Sequence, residues 1–324
     1  MDTPLLNVLR KVIFFSLIII ITLSSISSAV IANNKITDRT TLYSEKQVNI
    51  SFESSGYTLY GEIYYPSDES EVYPGIVFCE GLGGFIDAYN WLPKAIASQG
   101  YVVLIYDPPG QGRSEGVFPA RGINLRLLNL YYRFGSISET IYHYFSGECV
   151  LAARDAITYL TEESPVKNIV NDTCIGLVGH SLGGITVSEA AAIDDRVDAV
   201  IALSHANPQK VKDIDIPIQF QVGGFDIPLF SVPILRRCYS KAQTPKEIIT
   251  IKHGTHWGFT TAFGPLCPCP RWQKDICIQY SIGWFDYFLK NKQEAYNTIT
   301  TGTDHLSRIV KSKYNFGDGD IILE

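Results

Sequence analysis

From Val48 to Phe52 and again from Tyr57 to Tyr65, apolar and polar residues alternate, and Ser54-Ser55-Gly56 lies between the two runs. A period of two gives each run one apolar row, and the small residues supply a turn, so the segment predicts a β-hairpin. Further along, Gly75–Cys79, Tyr101–Tyr106, Cys174–Val178, Ala199–Leu203, Ile218–Val222 and Ile248–Ile251 are short and apolar throughout. Strands that lack a polar row are buried on both faces, as in a parallel sheet covered by helices. Helical stretches at about Ala88–Ser98, Ile137–Leu160 and Ile185–Ala192 interleave with them, and a last amphipathic helix covers about Trp272–Leu289. Strand-helix alternation of this kind predicts an α/β fold with a mostly parallel sheet and helices on each face. Only about fourteen residues separate Leu203 from Ile218, so no separate domain fits between them.

One apolar run does not belong to this pattern. Val12–Ala32 carries no charge, follows Arg10-Lys11, and contains small residues at Ala29 and Ala32. That is the form of a secretory signal peptide, with cleavage after either alanine; it is also long enough to remain as a membrane anchor. Both readings place the remainder of the 324-residue chain outside the cell, secreted or membrane-anchored. The expected organisation is a targeting segment over 1–32, a polar leader over 33–46, one α/β domain over 47–290 and a C-terminal tail over 291–324 with weak helical character near His305–Lys311.

The formal charge of −6 leaves no basic surplus to neutralise a phosphate backbone, which excludes nucleic acid as an expected partner. Loss of residues 1–32 removes Asp2, Arg10 and Lys11 and makes the balance −7. Seven cysteines in an exported chain invite disulfides: Cys79 and Cys174 lie in apolar runs as buried thiols, whereas one or two bridges are expected among Cys238, Cys267, Cys269 and Cys277. The spacing Cys267-Pro-Cys269 is too tight for a typical zinc pair. Asn49-Ile50-Ser51 and Asn171-Asp172-Thr173 fit the glycosylation acceptor pattern.

The sharpest chemical signal is Gly179-His180-Ser181-Leu182-Gly183-Gly184, set between the run ending at Val178 and the helix near Ile185. A G-x-S-x-G segment at a strand-to-helix turn is a nucleophile elbow, which lifts the serine hydroxyl clear of the sheet and turns the next N–H toward a developing oxyanion. A serine needs a base and a group to orient that base. Asp226 follows the run Ile218–Val222, and His256 follows Ile248–Ile251, giving the order Ser181, Asp226, His256 beyond the C-terminal ends of three strands. His253 is the competing base, though it abuts the strand while His256 lies farther out on a loop opened by Gly254. Asp213 and Asp215 precede their strand and read as turn residues, Asp107 reads as a turn cap, and His180 as a packing and hydrogen-bonding residue; His143, His205 and His305 have no constellation around them. Besides the Leu182 N–H, a second oxyanion donor is expected from Glu80-Gly81-Leu82-Gly83-Gly84, with Leu82 the candidate and Gly81 the alternative. The same loop lacks the Lys-Ser/Thr ending of a phosphate-binding loop.

Gly179-His180-Ser181-Leu182-Gly183, Asp107-Pro108-Pro109-Gly110-Gln111-Gly112-Arg113-Ser114, Asp226 and His256 together resemble the α/β-hydrolases over roughly Val48–Lys290, and most of all their lidless, dienelactone-hydrolase-like and esterase-like members. The resemblance implies an eight-stranded sheet and hydrolysis of small-molecule or polymeric carboxylic esters through an acyl-enzyme, with no metal or organic cofactor. The chain departs from the family in carrying Glu80 where many members have histidine, and its serine departs from the cysteine usual in dienelactone hydrolases. A peptidase of the prolyl-oligopeptidase type shares the residue order, but it generally carries an N-terminal propeller and fewer than fifty residues precede the hairpin here. A catalytically inactive binding protein on the same fold is the alternative from another class. Val117–Tyr132, rich in Leu, Tyr and Arg, reads either as a flap over the site or as an ordinary surface connection.

Overall fold

A computed structural model describes residues 43–117, 139–226, 231–243, 245–262, 264, 269–301, 312–315 and 320–323. The targeting segment, most of Val117–Tyr132, Cys267 and His305–Lys311 therefore lie outside the described residues. Strands β1 (Glu45–Ser54) and β2 (Tyr57–Pro66) form the expected hairpin, turning through Ser55 and Gly56, both at positive φ. The remaining core strands are β3 (Tyr73–Cys79), β4 (Val102–Tyr106), β5 (Val170–His180), β6 (Val197–Leu203), β7 (Ile218–Gly223) and β8 (Lys246–Ile251). They lie in the order β1-β2-β4-β3-β5-β6-β7-β8, antiparallel at the β1/β2 and β2/β4 contacts and parallel from β4 to β8. This is the expected eight-stranded, mostly parallel sheet. The tail adds an antiparallel pair, β9 (Ser312–Asn315) against β8 and β10 (Asp320–Leu323) against β9.

Every residue of β3 and β4 is buried, and the period-two alternation divides them between two cores. Val77, Cys79, Leu104, Leu177, Val200 and Phe220 point to one face, and Ile76, Phe78, Val103, Ile105, Val178 and Ile201 to the other. On the first face lie α2 (Glu139–Thr158), α3 (Leu182–Ala191) and α4 (Ser231–Lys241), contributing Ala152, Ala156, Val187, Ala190, Leu235 and Cys238. On the second lie α1 (Trp91–Ala97) and α5 (Arg271–Phe288), through Leu92, Ile96, Ile276, Tyr280, Trp284 and Phe285, with α6 (Ala295–Thr300) packing Ile299 behind α5. Small alanines on α2 and α3 let helix backbones approach the sheet, whereas α5 fills the opposite face with large rings.

No disulfide forms among the described cysteines, contrary to the sequence expectation. Cys238 is buried on α4 with its thiol toward the Ala206 carbonyl, Cys269 donates to the Gly258 carbonyl at 2.9 Å, and Cys277 is buried within α5. Cys79 is buried, and Cys174 is half-buried with its thiol 3.1 Å from the Leu289 carbonyl. These thiols pack as small apolar groups with one local acceptor.

The two-core arrangement predicts a steep contrast between positions. Phe285, fully buried against Tyr101, is expected to lose about 3–5 kcal/mol of stability on change to Ala. Leu151→Ala, at a side chain 47% exposed on α2, is expected to stay within about 0.5 kcal/mol. Urea unfolding of both variants measures the difference.

Candidate active site

Parallel pairing sets Cys79 beside Gly179 and Gly223 beside Ile251, so the loops leaving β3, β5, β7 and β8 share one rim of the sheet. Between β5 and α3 the chain turns on Ser181, whose backbone is held at φ 57° and ψ −114°. A non-glycine residue there is strained by on the order of 1–3 kcal/mol and persists only where its surroundings fix it. A Cβ on Gly179 would sit within the Gly183 carbonyl, and one on Gly183 within the Cys79 carbonyl, so this turn can close only with hydrogen at both positions. Leu182 is the first residue of α3, and its N–H has no acceptor within the helix.

Asp226 leaves β7 through Gly223 and Gly224, and His256 opens a short 3-10 turn, His256–Phe259, beyond β8. The His256 Nδ1–H donates to Asp226 Oδ2 at 2.9 Å, and both side chains are buried. With Nδ1 carrying the proton, Nε2 is left with its lone pair. Thr255 stabilises the turn by accepting from the Gly258 N–H, and Trp257 packs edge-on against the imidazole. The rival base, His253, sits at φ 58° with its ring against Phe225, and no carboxylate meets it among the described residues. The geometry thus pairs Asp226 with His256 rather than with His253.

In the loop after β3, the three glycine N–H groups have partners. Gly81 donates to the Tyr89 hydroxyl, Gly83 to Gln111 Oε1 and Gly84 to the Gly81 carbonyl. The Leu82 N–H, the sequence candidate, meets no acceptor among the described residues, whereas the alternative, Gly81, is engaged. Leu82, Phe85 and Phe225 are the exposed large apolar side chains around these loops. Asp107 caps a turn, accepting from the Ile86 N–H at 3.0 Å and the Arg113 N–H at 2.8 Å. His180 is buried and bonded to both Tyr89 and the His256 carbonyl. No sequence pattern singles out Tyr89 or Gln111, which reach this rim from elsewhere in the chain. No group of three or more His, Cys, Asp or Glu side chains among the described residues is arranged to hold a metal.

A family model described as the alpha/beta hydrolase fold matches residues 74–225, a stretch that holds the Glu80–Gly84 loop and the Ser181 elbow and stops one residue before Asp226. A bis(hydroxyethyl) terephthalate hydrolase of Streptomyces coelicolor is 27% identical over 71% of this chain and 62% of its own length. A platelet-activating factor acetylhydrolase of Cavia porcellus is 26% identical over 45% of this chain and 39% of its own. The chain has the α/β-hydrolase fold. It spans about three-fifths of the length of the first of these relatives and about two-fifths of the second.

Glu80 is electrostatically unusual within this site. Its carboxyl is 1% exposed, and neither oxygen meets a hydrogen-bond partner among the described residues. Burial, reinforced by Asp107, Asp87 and Glu62 and opposed by Arg113, pushes it well above the usual carboxylate range. The folded protein then keeps a proton that the unfolded chain releases above about pH 4.3, so this group's contribution to stability falls as pH rises toward its folded value, by about 1.4 kcal/mol per pH unit. Glu80→Gln removes that loss. The variant is expected to match the parent at pH 4 and to be the more stable protein at pH 8 in urea unfolding. An equal difference at both pH values would show that Glu80 is not held neutral.

Proposed function

We propose that this α/β-hydrolase cleaves carboxylic esters through an acyl-enzyme, with Ser181 as nucleophile, His256 as base and Asp226 as its orienting acid. The observation that carries the reading is the buried 2.9 Å Asp226–His256 hydrogen bond on the rim that also bears the strained Ser181 turn. The Ser181 Oγ attacks the ester carbonyl as His256 Nε2 takes its proton. The carbonyl oxygen becomes an anion held by the Leu182 and Leu82 N–H groups, and Asp226 stabilises the imidazolium. Collapse expels the alcohol, which takes the proton from His256. Water, deprotonated by the same imidazole, then attacks the acyl-serine and releases the acid. The exposed Leu82, Phe85 and Phe225 favour an ester with substantial apolar surface. Both relatives described above are named for hydrolysis of esters or acetyl groups, which supports this class of substrate.

The proposal extends to location. Residues 1–32 direct the chain out of the cytoplasm, removed as a signal or retained as an anchor through 12–32, ahead of a catalytic domain over 47–290. No helix among the described residues is long and apolar enough to cross a membrane.

Hydrolysis of p-nitrophenyl acyl esters and aminoacyl anilides by the full chain tests the reaction. Ser181→Ala and His256→Ala are expected to lose at least about 10⁴-fold in kcat/KM, and Asp226→Asn about 10³–10⁴-fold. His253→Ala is expected to stay within a few-fold of the parent. Retained turnover in Ser181→Ala would overturn the nucleophile, and a preference for anilides would replace esterase with peptidase.

A further inference from the structure

We propose that Tyr89 and His180 are positioning residues, forming a hydrogen-bonded relay that fixes the oxyanion loop against the His256 loop. The inference rests on the serine-hydrolase reading and adds two residues to its machinery. Each link is present in the structure. The Gly81 N–H donates to the Tyr89 hydroxyl at 3.3 Å, the Tyr89 oxygen lies 2.9 Å from His180 Nδ1, and His180 Nε2 lies 3.1 Å from the His256 carbonyl oxygen. Tyr89 and His180 are both buried, beyond the reach of bulk water.

The proton positions along the relay follow from counting. A phenol oxygen offers one donor and two acceptor sites. The His256 carbonyl can only accept, so His180 Nε2 must carry a proton; in a neutral ring Nδ1 is then an acceptor, and the Tyr89 hydroxyl donates to it while accepting from the Gly81 N–H. This is the one assignment that satisfies every group. It requires a neutral ring, and burial beside His256 holds His180 well below the ordinary histidine range.

The relay is placed to matter. Gly81 immediately precedes Leu82, the proposed oxyanion donor, and His180 immediately precedes Ser181. A Cβ on Gly81 would come within 2.8 Å of the Tyr89 hydroxyl and 3.2 Å of His180 Nδ1, so the loop backbone rests directly on the pair. The His180 ring also lies against the His256 and Phe259 rings, with centroids 4.7 and 5.6 Å apart. Groups supplied at positions 81, 180 and 256 are thereby held in one frame, as a reaction sensitive to ångström displacements demands.

Tyr89→Phe, His180→Phe and the double variant test the coupling, since phenyl rings keep the packing and remove only the polar links. Each single change is expected to lower kcat on p-nitrophenyl esters by about 10–100-fold with KM within about two-fold. Affinity for phenylboronic acid, which forms a tetrahedral adduct with the serine, should weaken in parallel. The double variant should be no slower than the slower single one, because both changes break one chain. A Tyr89→Phe enzyme with parental kcat, or single effects that multiply in the double variant, would overturn the relay. Nitrogen-15 spectra of the histidine-labelled full chain provide a readout independent of turnover. His180 is expected as the Nε2–H tautomer, and an Nδ1–H tautomer would refute the proposal even if the variants fail to fold. Retained turnover in Ser181→Ala alongside an Nε2–H His180 would place the error in the hydrolase reading and leave the relay standing.

Discussion

Between β5 and α3 the chain passes from strand to helix across Ser181, and the space for that reversal is set by backbone contact with β3. Gly183 lies against the Cys79 carbonyl and Gly179 against Gly183, so the end of one strand is the floor of the next loop. Neither contact tolerates a Cβ. The strain in Ser181 is maintained by this packing, because relaxing φ 57° would require the first turn of α3 to move away from β3. The same approach brings the loop after β3, with its open Leu82 N–H, beside the start of α3 and the Leu182 N–H.

Everything else on the rim is arranged around that fixed turn. Parallel pairing from β4 to β8 delivers the loops after β3, β5, β7 and β8 to one side, and two separately packed cores hold the sheet that carries them. The charge on the rim is distributed unevenly. Asp226 faces His256 at 2.9 Å, whereas Glu80 lies buried without a hydrogen-bond partner among the described residues and its ionisation is suppressed. In the proposed mechanism, a neutral Glu80 beside the Leu82 loop adds no repulsion to an anion forming there. An ionised one would.

The elements with a strong local period were legible from the residues. All eight core strands lie where uniform or alternating apolar runs predict them, and the helices at Leu182–Ala191 and Arg271–Phe288 match their expected spans to within a few residues. Helix α4, Ser231–Lys241, was not legible: it contains Pro233, Arg236 and Arg237, and only Leu235, Cys238 and Tyr239 of its apolar face are buried with Ser231. The strands of the tail were equally hidden, because β9 gains its hydrogen bonds from the edge of β8, a partner some sixty residues away. The disulfides expected from an exported, cysteine-bearing chain depended on sequence proximity, while the described thiols are dispersed among separate packing environments.

By itself the sequence determined the placement of the candidate site, since Ser181, Asp226 and His256 each follow an apolar run and a parallel sheet sends such loops to one edge. Tertiary structure pairs His256, rather than His253, with the Asp226 carboxylate, because that depends on which imidazole reaches it. It also decided which loop N–H lacks an acceptor among the described residues and how Tyr89 meets His180. Hydrogen bonds between residues tens of positions apart depend on distances within tenths of an ångström, and no local pattern of residue types encodes those distances.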